Sequence, residues 1–245
     1  MSAIDCTLAE LCIVACAETW RGDGEILASP IGVIPGIAAR LARATFAPDL
    51  MLTDGVASLV DAEGRVEGYM PYRSIFDLVW SGKRHVMMGA SQIDRFGNQN
   101  IACIGDFAKP KAQLLGARGA PGNTIHHATS YFVPAHSPKV FVEKVDFVSG
   151  VGFDRARSLG NSGRFHDVRR VVSNKGVFDF ATSDRSMRLA SIHPGVSLDD
   201  VIASTGFSLS VAREVAITRA PTAAELAIIR TKLDPKGLAD KELSS

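Results

Sequence analysis

The segment from Gly22 to Leu52 constrains the architecture more than any other. Gly22-Asp23-Gly24 turns the chain into a short strand over Glu25 to Ser29, Ser29-Pro30-Ile31-Gly32 breaks it, a helix follows from about Gly36 to Phe46, and Leu50 to Leu52 is a second strand. A strand, a glycine-bearing loop, a helix and a strand make a β-α-β unit, whose strands must lie parallel with the helix crossing one face. Val86-Met87-Met88, Ile101 to Ile104, Lys139 to Val148, Arg169 to Val172 and Ala190 to Ile192 are further strand candidates, most of them dense in β-branched residues. Their apolar runs are continuous rather than alternating, which suits strands buried on both faces. Thr7-Leu8-Ala9-Glu10, Ser197-Leu198-Asp199-Asp200 and Thr222-Ala223-Ala224-Glu225 have capping spacings. They predict helices near 8–18, 198–205 and 222–232, the first with one apolar face. The expected fold class is α/β, an open, mostly parallel, Rossmann-like sheet with helices on both faces. No repeat, low-complexity tract or linker divides the 245 residues, so a single domain over 1–245 is the economical reading.

The balance of 27 Lys and Arg against 26 Asp and Glu leaves a formal net charge of +1. No global field recruits nucleic acid or an anionic membrane, and any phosphate on a ligand must be held by local groups. The early apolar run Leu8 to Ala17 lacks a basic leader and is interrupted by Glu10, and nothing approaches the roughly 20 apolar residues of a membrane span. Cys6, Cys12, Cys16 and Cys103 show no C-x-x-C spacing and read as reduced thiols, with the cytoplasm as default compartment. Cys12 and Cys16 lie four apart on the first helix, but with no His or further Cys nearby they read as buried core rather than as metal ligands.

In open parallel sheets ligands settle outside the carboxyl ends of strands, and three loops fall beside such ends. Gly116-Ala117-Arg118-Gly119-Ala120-Pro121-Gly122-Asn123 packs three glycines into eight residues, letting backbone N–H groups approach a ligand oxygen; plain turns have the same composition. Arg118 is either a solvated surface residue or a bidentate partner for a substrate carboxylate. Asn98, Gln99 and Asn100 follow Phe96-Gly97 as an amide-rich turn able to hold a carbonyl or water, although Gly97-Asn98 is also ordinary turn chemistry. Thr53-Asp54-Gly55 closes the second strand. His126 and His127 are placed on a strand over Thr124 to Val133, pointing to opposite faces, so at most one meets the site, and His126 is preferred if either acts. Lys109 and Lys111 could meet phosphates or simply be solvated. No Asp, Glu or Cys stands at metal-ligand spacing with the histidines.

Residues 89 to 107, Gly-Ala-Ser-Gln-Ile-Asp-Arg-Phe-Gly-Asn-Gln-Asn-Ile-Ala-Cys-Ile-Gly-Asp-Phe, with the Gly116 to Asn123 loop, resemble the β subunit of class I coenzyme A transferases, most closely the glutaconate type. The likeness runs from the N-terminal helix to Asp234-Pro235. It includes Val171-Val172-Ser173-Asn174-Lys175-Gly176-Val177-Phe178 and Ser204-Thr205-Gly206-Phe207. In that family a similar glycine-rich segment lines the acyl-CoA site, with a small residue where this chain has Arg118. The family carries a catalytic Glu in a Glu-Asn-Gly or Glu-Ser-Gly turn, and this chain has Thr53-Asp54-Gly55 at the matching place. A threonine hydroxyl cannot form the acyl anhydride that the transferases need. Asp54, one residue away and one methylene shorter, misses near-attack geometry.

The departure points to a branch of the family whose members hydrolytically open the last ring in steroid degradation. The resemblance implies a 6-oxocyclohex-1-ene-1-carboxyl-CoA type substrate, a general base on a Glu of a partner α subunit, and α2β2 assembly. It implies no cofactor beyond the coenzyme A of the substrate, no nucleic acid and no membrane. On this reading Thr53, Asp54, Gly55, Asn98, Gln99, Gly116, Ala117, Arg118, Gly119, Ala120, Asn123 and His126 are the candidate substrate contacts, and no catalytic residue is assigned to this chain. The competing readings are an authentic CoA-transferase β subunit that recruits another carboxylate, and a subunit that only scaffolds an active partner.

Overall fold

The computed structural model describes residues 5–54, 58–71, 73–77 and 81–243, and its chain gathers into two units, Met1–Met88 with Arg219–Ser245, and Gly89–Thr218. In the first unit, Thr7 and Glu10 cap each other as the sequence predicts. The Thr7 hydroxyl accepts from the Glu10 amide at 3.2 Å and the Glu10 carboxylate from the Thr7 amide at 2.8 Å, opening α1 (Leu8–Ala17). The helix is not one-faced as expected, because every residue from Ala9 to Ala17 is buried. Glu10 among them is compensated by Arg230, which donates to both its oxygens at 2.6 and 2.9 Å and holds the carboxyl below its ordinary range.

The β-α-β unit follows. β1 (Leu27–Pro30) pairs in parallel with β2 (Met51–Thr53), with α2 (Val33–Thr45) between them, three residues earlier at its start than the spacing predicts. Pro35 misleads there: it stands in the first turn, where its missing N–H costs nothing. β3 (Ser58–Val60) and β4 (Val66–Tyr69) extend the sheet antiparallel, and after the short α3 (Ser74–Asp77) comes β5 (Arg84–Met88), parallel to β1 on its other side. Ile13, Trp20, Leu27, Ile34, Leu41, Leu50 and Met87 are wholly buried in this unit, each such aliphatic side chain contributing about 1.5–3 kcal/mol. Cys12 and Cys16 lie in the same core, where burial pushes the Cys12 thiol up to about 12 and Cys16 well above its usual value, so both are inert.

The second unit opens with two small hairpins, β6 (Gln92–Ile93) with β7 (Gln99–Asn100) and β8 (Cys103–Ile104) with β9 (Ala112–Gln113). α4 (Ala120–His126) leads into β10 (Ala128–Val133), which is buried along its whole length. After α5 (Phe153–Ala156), β10 pairs in parallel with β11 (Asp167–Ser173). β12 (Gly176–Asp179) and β13 (Arg188–Ile192) continue antiparallel, and beyond α6 (Leu198–Ala203) β14 (Ser210–Ile217) runs parallel to β13. Tyr131, Phe141, Phe178, Ile93 and Met187 fill its core.

Two strand expectations fail here. Residues 139–148 are irregular, joined to a strand only at Phe141 opposite Ile93. Their apolar residues are anchors, Phe141 and Val145 being buried while Glu143 and Lys144 between them are exposed. The expected strand at Ile101 to Ile104 shrinks to Cys103–Ile104. Conversely, β14 was missed because its Ser-Val-Ala-Arg-Glu-Val-Ala-Ile sequence lies mostly exposed at the end of the strand order and needs no apolar run.

The chain returns to the first unit through α7 (Ala223–Ile228), opened by a second formed capping box at Thr222, and ends in α8 (Leu238–Leu243). α8 delivers the Glu242 carboxylate onto the start of α2, where the Val33 and Ile34 amides donate to it at 3.2 and 2.6 Å. Gly32, at φ 122°, makes room, since a Cβ there would lie 2.8 Å from Glu242 Oε1. Glu242→Ala leaves these amides without their cap, at a cost of about 1 kcal/mol. A melting temperature lower by about 2–4 °C is expected, and an unchanged melting curve would remove Glu242 from the account of α2.

Candidate functional site

In the second unit the amide-rich turn is built around Asp94. Gly97, at φ 82°, lets the chain reverse, its amide donating to the Asp94 carbonyl at 3.0 Å. A Cβ on Gly97 would press to 3.0 Å on the Phe180 ring. The Asp94 carboxylate accepts from the amides of Phe96 and Asn98 at 3.0 and 3.1 Å and from the Asn98 side chain at 2.9 Å. The Asn98 Nδ2 also donates to Asp154 at 2.8 Å, while its Oδ1 accepts from the Gly152 amide at 2.8 Å. Asn98 is buried, and both ends of its amide are spent on the protein. The sequence reading of Asn98 as a substrate contact is therefore replaced by a structural one, in which Asn98 rivets the turn to the start of α5. Gly152 permits the approach, because a Cβ there would fall onto the backbone of Phe96 and Asn98.

Gln99 behaves differently. Its backbone amide donates to Gly150 O at 2.9 Å, and its carbonyl accepts from the Ser149 amide at 2.8 Å. Its Nε2 donates to the Gly89 carbonyl at 2.5 Å, and its Oε1 is buried with no hydrogen-bond partner among the described residues. The next residues of this strap reach the glycine-rich loop, since the Val151 amide donates to Thr124 Oγ1 at 2.9 Å. Residues 149–152 thus tie the amide turn on one side to α4 on the other. Asp94, Asp154 and the two glycines 150 and 152 escaped the sequence reading; only Asp94, four residues before Asn98 across a glycine turn, left a local signal.

The Gly116 to Asn123 loop has its expected openness. Gly116 stands at φ 84° with nothing within 4 Å of the position a Cβ would take. The Ala120 amide closes a turn on the Ala117 carbonyl at 3.1 Å, and Asn123 donates to Gly119 at 2.9 Å. Among the described residues no acceptor takes the amides of Ala117, Arg118 or Gly119. Arg118 occupies the left-handed region at φ 49°, exposed, its guanidinium likewise without an ion-pair or hydrogen-bond partner among the described residues. Such a conformation costs a non-glycine residue on the order of 1 kcal/mol. The loop thus presents a cation and three backbone amides that no protein group engages among the described residues.

The expected strand over Thr124 to Val133 is corrected. Pro121 starts α4 instead, β-branched Thr124 and Ile125 are helical, and β10 begins only at Ala128. The alternation that set the two imidazoles on opposite faces does not apply. His126 ends the helix partly exposed, and His127 is its buried C-cap, donating its amide to Asn123 O at 3.0 Å.

In the first unit Thr53 is the last residue of β2. The Asp54 amide donates to Ser58 O at 3.0 Å and its Oδ1 accepts from the Ser58 amide at 3.0 Å, so its carboxylate braces the β2 to β3 turn. Gly55 lies outside the described residues. Among the described residues no helix is long and apolar enough to cross a membrane.

The profile of the family described as Coenzyme A transferase matches residues 74–204. The cholesterol ring-cleaving hydrolase IpdB subunit of Rhodococcus jostii (strain RHA1) is 50% identical over 244 residues, covering 97% of this chain and 96% of the relative. A glutaconate CoA-transferase subunit of Acidaminococcus fermentans is 29% identical over 235 residues, covering 87% of each. A chain of the crystal structure of Rhodococcus jostii RHA1 IpdAB superposes with a TM-score of 0.94 at 49% identity, covering 99% of this chain and 100% of that one.

Two outcomes test the Asp94 cluster. Burial pushes the Asp94 carboxyl up to about 6 against the pull of the Asn98 donors. A folded pKa above the unfolded 3.8 gives a stabilising contribution that is full below about pH 4 and lost as pH rises through about 6. Carbon-13 titration of the aspartate carboxyls should show one midpoint near 6, and a midpoint near 4 would contradict the burial argument. Asn98→Ala removes two charge-assisted donors and the Gly152 acceptor, and should lower unfolding stability by about 2–4 kcal/mol in urea; a loss below about 0.5 kcal/mol would return Asn98 to the substrate.

Proposed function

The chain belongs to the coenzyme A transferase family, and from that membership we propose that it is the B-type subunit of a hydrolase that opens the last ring of a steroid nucleus. Its substrate is a cyclic acyl-CoA of the 6-oxocyclohex-1-ene-1-carboxyl type. One observation carries the reading. The chain is 50% identical to a cholesterol ring-cleaving hydrolase subunit over nearly its whole length, against 29% to a glutaconate transferase subunit. Thr53, where the transferases place their catalytic Glu, supports it, because hydrolysis needs no carboxylate nucleophile on the enzyme and transfer does.

Water, deprotonated by a Glu of an A-type partner, adds to the ring ketone. The bond between that carbon and the thioester-bearing carbon breaks, its electron pair passes into the thioester-stabilised enolate, and a proton returned to that carbon leaves a ring-opened acid with its CoA attached. The steps need a general base and donors for a developing oxyanion. This chain supplies the second. The open amides of Ala117, Arg118 and Gly119 suit the carbonyl oxygens, and Arg118 suits a free carboxylate elsewhere on the substrate. Gly116, Ala120, Asn123 and His126 lie in the same loop and helix, and Gln99 pairs with residues 149–150, next to the Val151 that donates to Thr124. Thr53, Asp54 and Gly55 are assigned to the substrate by the family resemblance alone. The assembly is an α2β2 heterotetramer of the cytoplasm, with no cofactor beyond the coenzyme A of the substrate.

The reaction is tested by mass spectrometry of the CoA ester after the co-purified complex meets such a substrate in oxygen-labelled water with acetate present. Gain of one water, the label in a new carboxylate and the CoA retained are expected. Acetyl-CoA as product would overturn the reading in favour of transfer. Arg118→Gly should relieve the strained backbone, leaving stability unchanged or higher by up to about 1 kcal/mol. It should lower kcat/KM by about 100-fold, the loss of a charge-assisted pair; unchanged turnover would make Arg118 a bystander and favour a scaffolding role.

A further inference from the structure

We infer that four exposed arginines of the second unit, Arg155, Arg157, Arg164 and Arg185, are the subsite for the phosphates at the nucleotide end of a coenzyme A ester. The inference rests on the proposed function, which puts the thioester end of that ester at the glycine-rich loop and leaves its phosphates to be held elsewhere. A chain with a formal net charge of +1 holds them only with a local concentration of cations.

Such a concentration follows α5. Residues 155–164, Arg-Ala-Arg-Ser-Leu-Gly-Asn-Ser-Gly-Arg, hold three arginines, two serines and no acid. These arginines and Arg185 are exposed and without an ion-pair partner among the described residues, whereas Arg169 and Arg188 are paired with Asp167 and Asp179. A hydrogen bond draws two of the four together: Arg157 Nη2 donates to the Asp184 carbonyl at 2.7 Å, at the peptide that leads into Arg185. The Arg185 guanidinium lies 5.5 Å from the centre of the Phe153 ring, which returns it to the segment carrying Arg155 and Arg157. Two carboxylates share the region. Asp154 accepts from Asn98 Nδ2 at 2.8 Å, and Asp184 accepts from the Thr182 hydroxyl at 3.0 Å and from the amide and hydroxyl of Ser186 at 3.1 and 2.7 Å. Neither pairs with an arginine side chain, so the patch keeps an excess of positive charge.

Backbone conformation and position select the occupant. Apart from Arg118, Arg185 is the one non-glycine residue at positive φ among the described residues, at 61°. Outliers of this kind gather where a side chain is held for a ligand. Hydrogen bonds connect the patch to the glycine-rich loop. His166, two residues beyond Arg164, pairs through Nε2 with the Val151 carbonyl at 2.9 Å, and the Val151 amide donates at 2.9 Å to Thr124 Oγ1 in α4, the helix that the loop opens. Residues 157–163 pack against the same helix. An ester whose thioester meets the amides of Ala117 to Gly119 carries its phosphates at the far end of the pantetheine arm, and the arginines are the cations to which this bonded path leads. Guanidinium groups meet phosphate oxygens bidentately, which an exposed array without carboxylate partners leaves them free to do.

Binding is measured without turnover, by calorimetric titration of the co-purified complex with coenzyme A and, as a phosphate-free control, pantetheine. Arg157→Ala combined with Arg185→Gly should raise the Kd of coenzyme A by about tenfold or more and flatten its dependence on added salt, leaving the Kd of pantetheine unchanged. Glycine suits the left-handed backbone at 185. Should that variant nevertheless fail to fold, Arg155→Ala with Arg164→Ala decides, with an expected rise in Kd of about three- to tenfold. Wild-type affinity for coenzyme A in a folded variant would overturn the proposal, and so would an equal loss of affinity for pantetheine, which would place the disturbance at the thioester end. A loss confined to coenzyme A upholds the subsite even if the complex opens no ring, so this inference and the proposed reaction fail separately.

Discussion

The amide of Asn98 has donors and an acceptor to place inside a protein, and the way they are placed organises the second unit. Two carboxylates take its N–H groups and the Gly152 amide takes its oxygen. A buried carboxylate such as Asp94 is tolerated only where donors surround it, and a buried amide only where both its ends are satisfied. Each need is met by the other, so the 94–98 turn and the 149–154 segment become one piece. From that piece Gln99 and Val151 reach out to Gly89 and to Thr124. The glycine-rich loop runs into α4, and α4 is tied at Thr124 to that piece.

The first unit solves a similar problem with charges. α1 is buried on every side, so its one acidic residue, Glu10, has to be met inside, and the late Arg230 meets it. Glu242, still later, caps α2. Glu18 and Glu225 share Arg219, with Glu225 accepting at 2.7 and 2.9 Å. The guanidinium beside Glu225 and the capping donors of Thr222 overcome burial and hold that carboxyl down to about 2. The last 27 residues, Arg219–Ser245, thus complete a unit begun by the first 88.

Function in this family member follows from a subtraction and an addition. With Thr53 at the place of the family's catalytic carboxylate, this chain has no nucleophile there for covalent transfer. Placing Arg118 in a left-handed turn, where glycine would be comfortable, adds a cation at the cost of local strain. Asp54, the nearest carboxylate to the lost nucleophile, braces its own hairpin through the Ser58 amide.

The sequence by itself determined the β-α-β order, both capping boxes, the double burial of β5, the openness at Gly116 and the family, because these depend on neighbours within a few residues or on motifs intact along the chain. It read Asn98 as a ligand contact and Thr124-Ile125 as strand. An amide looks the same whether it meets a substrate or Asp154, 56 residues away, and β-branched residues favour strands until a proline commits the backbone to a helix. It missed β14, whose place at the end of the strand order removes the apolar pattern that marks buried strands. Only the tertiary structure decided which polar groups were satisfied by the protein and which were left open, because satisfaction depends on partners brought together by folding.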